Sequence, residues 1–271
     1  RSLLHASRGV GSREVLYLLS FVFHLKLLRV LDLGQISLGT AFPSEISLLV
    51  QLRFLAILGW LKGDIPSSLE RLSNLETFLV TTHDSGVGLS LLQDTLVKMQ
   101  KLRHLHVRGA LIDLRLANDD THCSSRLCSL DTFSTLKLYL GKSLEKTIMK
   151  FPNIRKLKCC LLPSPSEEST SDSNMVLAMH LLSQLESLKL LLGKVTAHPI
   201  EVHLPSNLKK LTLEDFSWSI MSAIRNLPNL EALKLVRQAD GVKEWDMEGM
   251  EEEEFFPALK FLKLKDLSIG K

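Results

Sequence analysis

The chain predicts an α/β repeat solenoid: an irregular horseshoe with a parallel β-sheet on its concave face and short helices and loops on its convex face. Three observations carry this. The phrase L-x-x-L-x-x-L-x-L recurs, with its third apolar anchor at Leu31, Leu55, Phe78, Leu105, Leu136, Leu157, Leu188, Leu211, Leu233 and Leu262, in steps of 24, 23, 27, 31, 21, 31, 23, 22 and 29 residues. A unit that short cannot bury its own apolar face, so neighbours must stack into one core. With 45% hydrophobic and 23% charged residues the chain can fill such a core and is not disordered overall.

A period of about 20–29 residues with this signature is that of leucine-rich repeats. Residues 1–271 therefore read as one domain of about ten repeats after a partial first one, with inserts near 113–129 and 163–174. The opening Arg1-Ser2-Leu3-Leu4-His5 reads as the tail of an earlier repeat, and the end stops just past a strand, so a segment of a longer chain is expected.

The last four phrase residues of each repeat should form a short strand whose alternate side chains face opposite ways. Leu25, Leu28, Leu31 and Leu33 point inward in the first repeat, and Leu49, Leu52, Leu55 and Ile57 in the second. Leu72/Leu75/Phe78/Val80 and Met99/Leu102/Leu105/Val107 follow, then a weaker fifth at Phe133/Leu136/Leu138. Phe151/Ile154/Leu157/Cys159, Leu182/Leu185/Leu188/Leu190, Leu208/Leu211/Leu213, Leu227/Leu230/Leu233/Leu235 and Phe256/Leu259/Leu262/Leu264 complete the set. All are read as core.

Between strands, Pro43 and Pro66 are placed at first helical turns, where the missing N–H costs nothing. Gly88–Met99, Asn174–Leu185 and Ser219–Leu227 have helical apolar spacing, with Asn174 as a cap. The insert Asn118–Ser129 is polar, and Pro163–Asn174 (PSPSEESTSDSN) lacks apolar side chains apart from its prolines and is expected to be a loop. The usual Asn or Cys three residues beyond the last strand leucine is missing: Ile36, Trp60, His83, Ala110, Gly141, Leu162, Gly193, Phe216, Gln238 and Leu267 stand there instead. Turn groups must then find other partners.

The apolar stretch Val15–Phe23 is stopped by His24, well short of the ~20 residues of a membrane span. Cys123, Cys128, Cys159 and Cys160 lie mid-chain and no Asn-x-Ser/Thr occurs, which favours free thiols in a reducing, cytoplasmic compartment. Gly141-Lys142-Ser143 lacks the earlier glycine of a phosphate loop, because Leu136 stands there. His122, Cys123 and Cys128 have no second ligand pair at zinc spacing. No catalytic, metal or cofactor site is expected.

The concave face is read by offset from the core positions. It carries Val30, Asp32 and Gly34, then Phe54, Ala56 and Leu58, then Thr77, Leu79 and Thr81, then His104, His106 and Arg108. Farther on come Thr135, Lys137 and Tyr139; Lys156, Lys158 and Cys160; Ser187, Lys189 and Leu191; Lys210, Thr212 and Glu214; Ala232, Lys234 and Val236; and Phe261, Lys263 and Lys265. Its central row is Lys137, Lys158, Lys189, Thr212, Lys234 and Lys263. Like charges on strands about 4.8 Å apart repel, so such a row splays or recruits an acidic partner. Lysine is also an ordinary solvent-facing strand residue that blocks edge pairing, so contact surface and solvated face both stand. Only Tyr139 and Phe261 offer stacking, which argues against nucleic acid. The acidic run Glu244 to Glu254 reads as a solvated loop.

Leu27-Leu28-Arg29-Val30-Leu31-Asp32-Leu33 resembles the LLRVLDL segment of plant nucleotide-binding leucine-rich-repeat immune receptors. Pro43–Leu55 is similar to their LPxxIxxLxxLRYLxL repeat, Ile65–Thr77 to the LPxSIxxLxNLxTL repeat, and Phe256–Leu262 to the FPxLKxLxL ending. Lys101–Leu105 and Phe151–Leu157 resemble the nightshade coiled-coil class of late-blight resistance type. The resemblance implies repeats that sense a pathogen effector or a guarded host protein and restrain an ADP/ATP-binding switch by an intramolecular contact. The phosphate loop and Met-His-Asp motif of that switch are absent from this chain. Two other settings stand: Leu61-Lys62-Gly63-Asp64-Ile65-Pro66 matches the LxGxIP phrase of secreted plant repeats, and repeats also serve as substrate adaptors for ubiquitin transfer.

Overall fold

The computed structural model describes residues 2–3, 20–38, 42–59, 66–82, 88–109, 111–115, 127–139, 143–163, 175–192, 200–238 and 255–267. The chain divides into two units, Arg1–Leu136 and Lys137–Lys271. Both are leucine-rich repeats, rich in parallel strands and poor in helix.

In the first unit the strands are β1 (Ser2–Leu3), β2 (Val30–Ser37), β3 (Phe54–Gly59), β4 (Thr77–Thr82), β5 (Gly88–Leu92), β6 (His104–Arg108), β7 (Leu111–Arg115) and β8 (Thr132–Tyr139), the last crossing the division. They order as β1-β2-β3-β4-β6-β8, with β5 paired to β7 and β7 touching β8 at Ile112↔Leu136. The second unit has β9 (Lys156–Leu162), β10 (Met175–Ala178), β11 (Ser187–Leu191), β12 (Ile200–His203), β13 (Lys210–Phe216), β14 (Ala232–Gln238) and β15 (Phe261–Lys265). There the order is β9-β11-β13-β14-β15, and β10 pairs β12 in a separate two-stranded sheet.

The leucine spacing has a direct backbone cause. Leu52 N donates to Leu49 O, Leu75 to Leu72, Leu102 to Met99, Leu185 to Leu182 and Leu230 to Leu227. Each is a bond back three residues, so apolar residues three apart fall on one side of a tight turn. Leu31, Leu55 and Leu105 are fully buried, and Phe78, Leu188, Leu211 and Leu233 nearly so. Burying each contributes roughly 1.5–3 kcal/mol before entropy is subtracted.

Five expectations are corrected. The fifth repeat is shifted by three residues: Phe133, not Leu136, lies opposite Leu105, and Leu130 N bonds back to Leu127 O as the phrase requires. Its phrase is Leu127/Leu130/Phe133, and the flanking steps become 28 and 24 residues (105 to 133, 133 to 157). A left-handed residue, Thr135 at φ 68°, then lets Thr135 and Leu136 both turn inward. Second, Gly88–Met99 is strand β5 followed by a short helix, Gln93–Lys98, and Met175–Leu181 is strand β10 followed by a 3-10 turn. The extended limbs pair in turn, β5 with β7 and β10 with β12, and so satisfy backbone groups between repeats. Third, Pro43 and Pro66 are extended cap residues ahead of the 3-10 helices Ser44–Leu48 and Ser67–Arg71. Fourth, Leu262 and Leu264 are exposed at 53% and 49%, because β15 is paired on one side only among the described residues. Fifth, Cys160 is buried and not on an open face. The third expected helix is present as Trp218–Ile220 and Met221–Ile224, with Ser217 Oγ accepting from Ser219 N at 3.3 Å.

Inter-repeat bonds come from a position that the leucine phrase leaves unmarked. Asn74 Nδ2 donates to Val50 O (3.0 Å), Asn207 to Ser183 O (2.7 Å) and Asn229 to Ser206 O (2.9 Å), each one residue before an apolar anchor. Lys101 Nζ donates to Asn74 Oδ1 at 2.7 Å. An asparagine ladder thus exists at the strand-entry side instead of the exit side.

The expectations for Val15–Leu19, Trp60–Ile65, His83, Ala110, residues 118–126 including His122 and Cys123, Gly141-Lys142, residues 164–174 including Asn174, Gly193 and residues 244–254 lie outside the described residues. Among those described, no helix is long and apolar enough to cross a membrane.

Candidate functional site

The solvent side of each sheet follows from strand register. In the first unit Val30, Phe54, Thr77, His104 and Thr132 form one row, and Asp32, Ala56, Leu79 and His106 the next. Phe54 is half-buried, Arg108 exposed and Ala56 buried. The register correction brings hydroxyls beside the histidines: His104 Nδ1 lies 3.2 Å from Thr132 Oγ1, and Ser134 Oγ lies 3.5 Å from His106 Nδ1. The two rings stand nearly parallel with centroids 6.4 Å apart, and Asp131 Oδ2 is 4.0 Å from His104 Nδ1. Thr132 and Ser134, not Thr135, Lys137 and Tyr139, are therefore the fifth-repeat neighbours of this histidine pair. Lys137 and Tyr139 follow the left-handed residue and are half-buried.

In the second unit, Lys156, Ser187, Lys210, Ala232 and Phe261 share a row. Lys158, Lys189, Thr212, Lys234 and Lys263 share the next, and Cys160, Leu191, Glu214, Val236 and Lys265 the third. Lysines opposite one another at Lys158↔Lys189 and Lys234↔Lys263 are thus a property of the register.

What surrounds these lysines differs along the row. Lys189 forms an ion pair with Glu214, which is only 17% exposed and also lies 3.8 Å from Arg237 Nη2. Arg237 in turn donates to Asp215 through Nε (2.8 Å) and Nη2 (3.3 Å), and that hydrogen bond and charge hold its pKa above the ordinary range. Lys234 Nζ stands 5.7 Å from the Phe261 ring centroid, within cation–π range. Lys265 lies 3.7 Å from Asp266. Lys158 is half-buried, and burial together with the adjacent Lys189 lowers its pKa, with Glu214 acting weakly the other way. Burial raises both Cys159 and Cys160; Lys137 opposes the shift at Cys160. Neither thiol is a nucleophile in this setting.

The sequence places Glu214 on the concave face but not as a counter-ion, and it does not single out Asp215 or Arg237. A signal for two of them exists: Asp215, Arg237 and Asp266 each stand four residues past the core anchor, and all three have left-handed backbone (φ 56°, 51° and 55°). A second signal is charge order. Two residues before the anchor stand Arg53, Glu76, Arg103 and Asp131 in the first unit, and Arg155, Glu186, Lys209, Glu231 and Lys260 in the second. Each N–H of Glu76, Arg103, Asp131, Glu186, Lys209, Glu231 and Lys260 donates to the carbonyl of its predecessor. Ion pairs close at Arg53–Glu76 (3.4 Å), Lys209–Glu186 (3.9 Å) and Lys260–Glu231 (3.3 Å). From Arg53 onward opposite charges face each other within each unit, whereas Arg29 faces Arg53 at the start of the row, where Arg53 N donates to Arg29 O.

Among the described residues, no group of three or more His, Cys, Asp or Glu side chains is placed to hold a metal ion.

A family model described as leucine-rich repeat region matches residues 10–271. The putative late blight resistance protein homolog R1B-16 of Solanum demissum is 35% identical over 265 residues, covering 92% of this chain and 18% of that protein. Late blight resistance protein R1-A of the same species is 31% identical over 277 residues, covering 98% and 20%. The chain spans about a fifth of the length of these curated relatives. A solved leucine-rich-repeat protein of Leptospira interrogans aligns at 18% identity with a TM-score of 0.44, covering 80% of this chain and 56% of that one.

Proposed function

The chain belongs to the leucine-rich repeat region family, and from that membership we propose that it is the protein-recognition domain of a cytoplasmic plant disease-resistance receptor. Its repeats, residues 1–271, bind a pathogen effector or a guarded host protein, and in the resting receptor they contact and restrain a nucleotide-binding switch. The observation that carries the reading is the likeness to late blight resistance proteins over nearly the whole chain. The solvent side of the sheet supports it, because it presents side chains in register without the sequence constraint that the core imposes. The binding face comprises Phe54, His104, His106 and Arg108 in the first unit, and the lysines of β8, β9, β11, β13, β14 and β15 with Tyr139 in the second.

Charge reversal tests this reading in the complete receptor: Lys158→Glu, Lys189→Glu and Lys234→Glu together. The expected result is altered resting activity or lost recognition, scored as cell death in leaf tissue with and without the pathogen. Unchanged resting activity with unchanged recognition rejects the assignment of this face.

A further inference from the structure

The lysine row of the second unit is uneven. Past β9, Lys189 is answered from within by Glu214, Lys234 by the face of Phe261, Arg237 by Asp215 and Lys265 by Asp266, while Lys210 and Lys263 are exposed to water. At β9 a half-buried lysine goes unanswered. Among the described residues no carboxylate lies within ion-pair distance of Lys137, Lys156 or Lys158. Lys158 is half-buried directly opposite Lys189, so its charge is both partly desolvated and faced by a like charge. A cation held in that position gains more from an incoming anion than an exposed lysine does, because less water screens the pair.

We propose that β9 is the docking strand for an extended acidic segment of the protein partner, one whose carboxylates recur at every second residue. This rests on the reading that the solvent side of the sheet is the contact face. Lys156 and Lys158 leave the same side of one strand two residues apart, about 6.6 Å along it. An extended peptide lying along β9 repeats its own same-side residues at that same distance, so alternate carboxylates meet both lysines in one register. A block of consecutive carboxylates turns half of them away. Lys137, on β8, adds a further positive charge that acts on Cys160 of β9. Glu214 and Asp215 bound the site on the β13 side. They disfavour a continuous polyanion, whereas a short acidic segment can end before reaching them. Nucleic acid is disfavoured for that reason, and because Tyr139 is the one aromatic side chain that the described residues of β8 and β9 turn outward.

The test uses the 271-residue chain and fluorescence anisotropy. The probe is a labelled peptide alternating glutamate with threonine; the comparison peptide has the same composition with its glutamates in one block. Lys156→Glu with Lys158→Glu is expected to weaken the alternating peptide at least about tenfold, and Lys234→Glu with Lys263→Glu less than about twofold. Lys156→Gln with Lys158→Gln, with an unchanged thermal melt, should shift binding the same way and guards against misfolding. Equal weakening by the two glutamate pairs overturns the proposal. So does a block peptide bound as tightly as the alternating one, no binding of either peptide, or tighter binding of a single-stranded oligonucleotide. If these fail while charge reversal still changes the complete receptor, the acidic-strand assignment falls and the recognition reading stands. A receptor indifferent to charge reversal removes the reading itself.

Discussion

In the first unit the outward rows run Val30, Phe54, Thr77, His104 and Asp32, Ala56, Leu79, His106; in the second they run Lys156, Ser187, Lys210, Ala232 and Lys158, Lys189, Thr212, Lys234. Behind these rows the two interiors are interchangeable: Leu31, Leu55, Phe78 and Leu105 in one, Leu157, Leu188, Leu211 and Leu233 in the other. Strand entry is also shared, through alternating charge and asparagine bonds. The units part ways on the outer face and at strand exit. The fold is therefore carried by positions that leave the face free to change, and recognition is expected where the two units differ.

The largest expected effect probes what they share. Leu55→Ala and Leu188→Ala, at 0% and 1% exposure, should each cost about 2–5 kcal/mol, read as a fall in the urea midpoint. Leu262→Ala, at 53% exposure, should cost less than about 1 kcal/mol. Equal costs at Leu188 and Leu262 would mean that the last strand is covered in solution.

Strand exit separates the units next. At Gly109 the backbone is left-handed (φ 83°), and an added Cβ would stand 2.1 Å from Thr82 O. Gly109→Ala should destabilise by about 1–3 kcal/mol or more, since β6 must move away from β4. The equivalent residue in β14 is Arg237, left-handed at φ 51° yet held by Asp215. Arg237→Ala should cost no more than about 1 kcal/mol, because the pair is largely exposed. A comparable loss at both sites, by thermal melting, would erase this contrast.

That contrast also marks what could be read in advance. Leucine spacing gives the strands and their register in nine repeats, because a three-residue turn followed by an alternating strand leaves little freedom. It misplaced the fifth, where Phe133 and Leu136 both suit an anchor. The choice fell to Leu127 and Leu130 upstream, one of which sat inside a stretch read as a polar insert. Asp131 was the available signal, since it continues the alternation of Arg53, Glu76 and Arg103 only if Phe133 is the anchor. On the face, the rows of the lysines of β9 to β15 were legible, but that of Lys137 was not, and neither was their pairing. Glu214 stands one row away from Lys189 on the neighbouring strand, and such a diagonal contact needs side-chain geometry as well as register.

A smaller effect is expected at strand entry, where both units use the same device. Asn74→Ala in the first and Asn207→Ala in the second each remove one side-chain bond to a neighbouring repeat's carbonyl. Each should cost about 1 kcal/mol by urea unfolding. A null result in one unit alone would show that its repeats do not depend on the ladder.

The smallest change in stability should come from Glu214→Gln, and its size depends on salt. The substitution keeps the shape but leaves Lys189 facing Lys158 without a counter-ion, and it removes one of the two carboxylates near Arg237. Because Lys189 is about one-third exposed, the loss should stay within about 1 kcal/mol at low ionic strength. It should shrink at high salt, where screening substitutes for the missing charge. No equivalent substitution in the first unit, such as Leu79→Ala on its central row, should show that salt dependence. A Glu214→Gln cost that is the same at low and high salt would mean that the carboxylate acts there through packing, and the electrostatic distinction between the two faces would lose its main support.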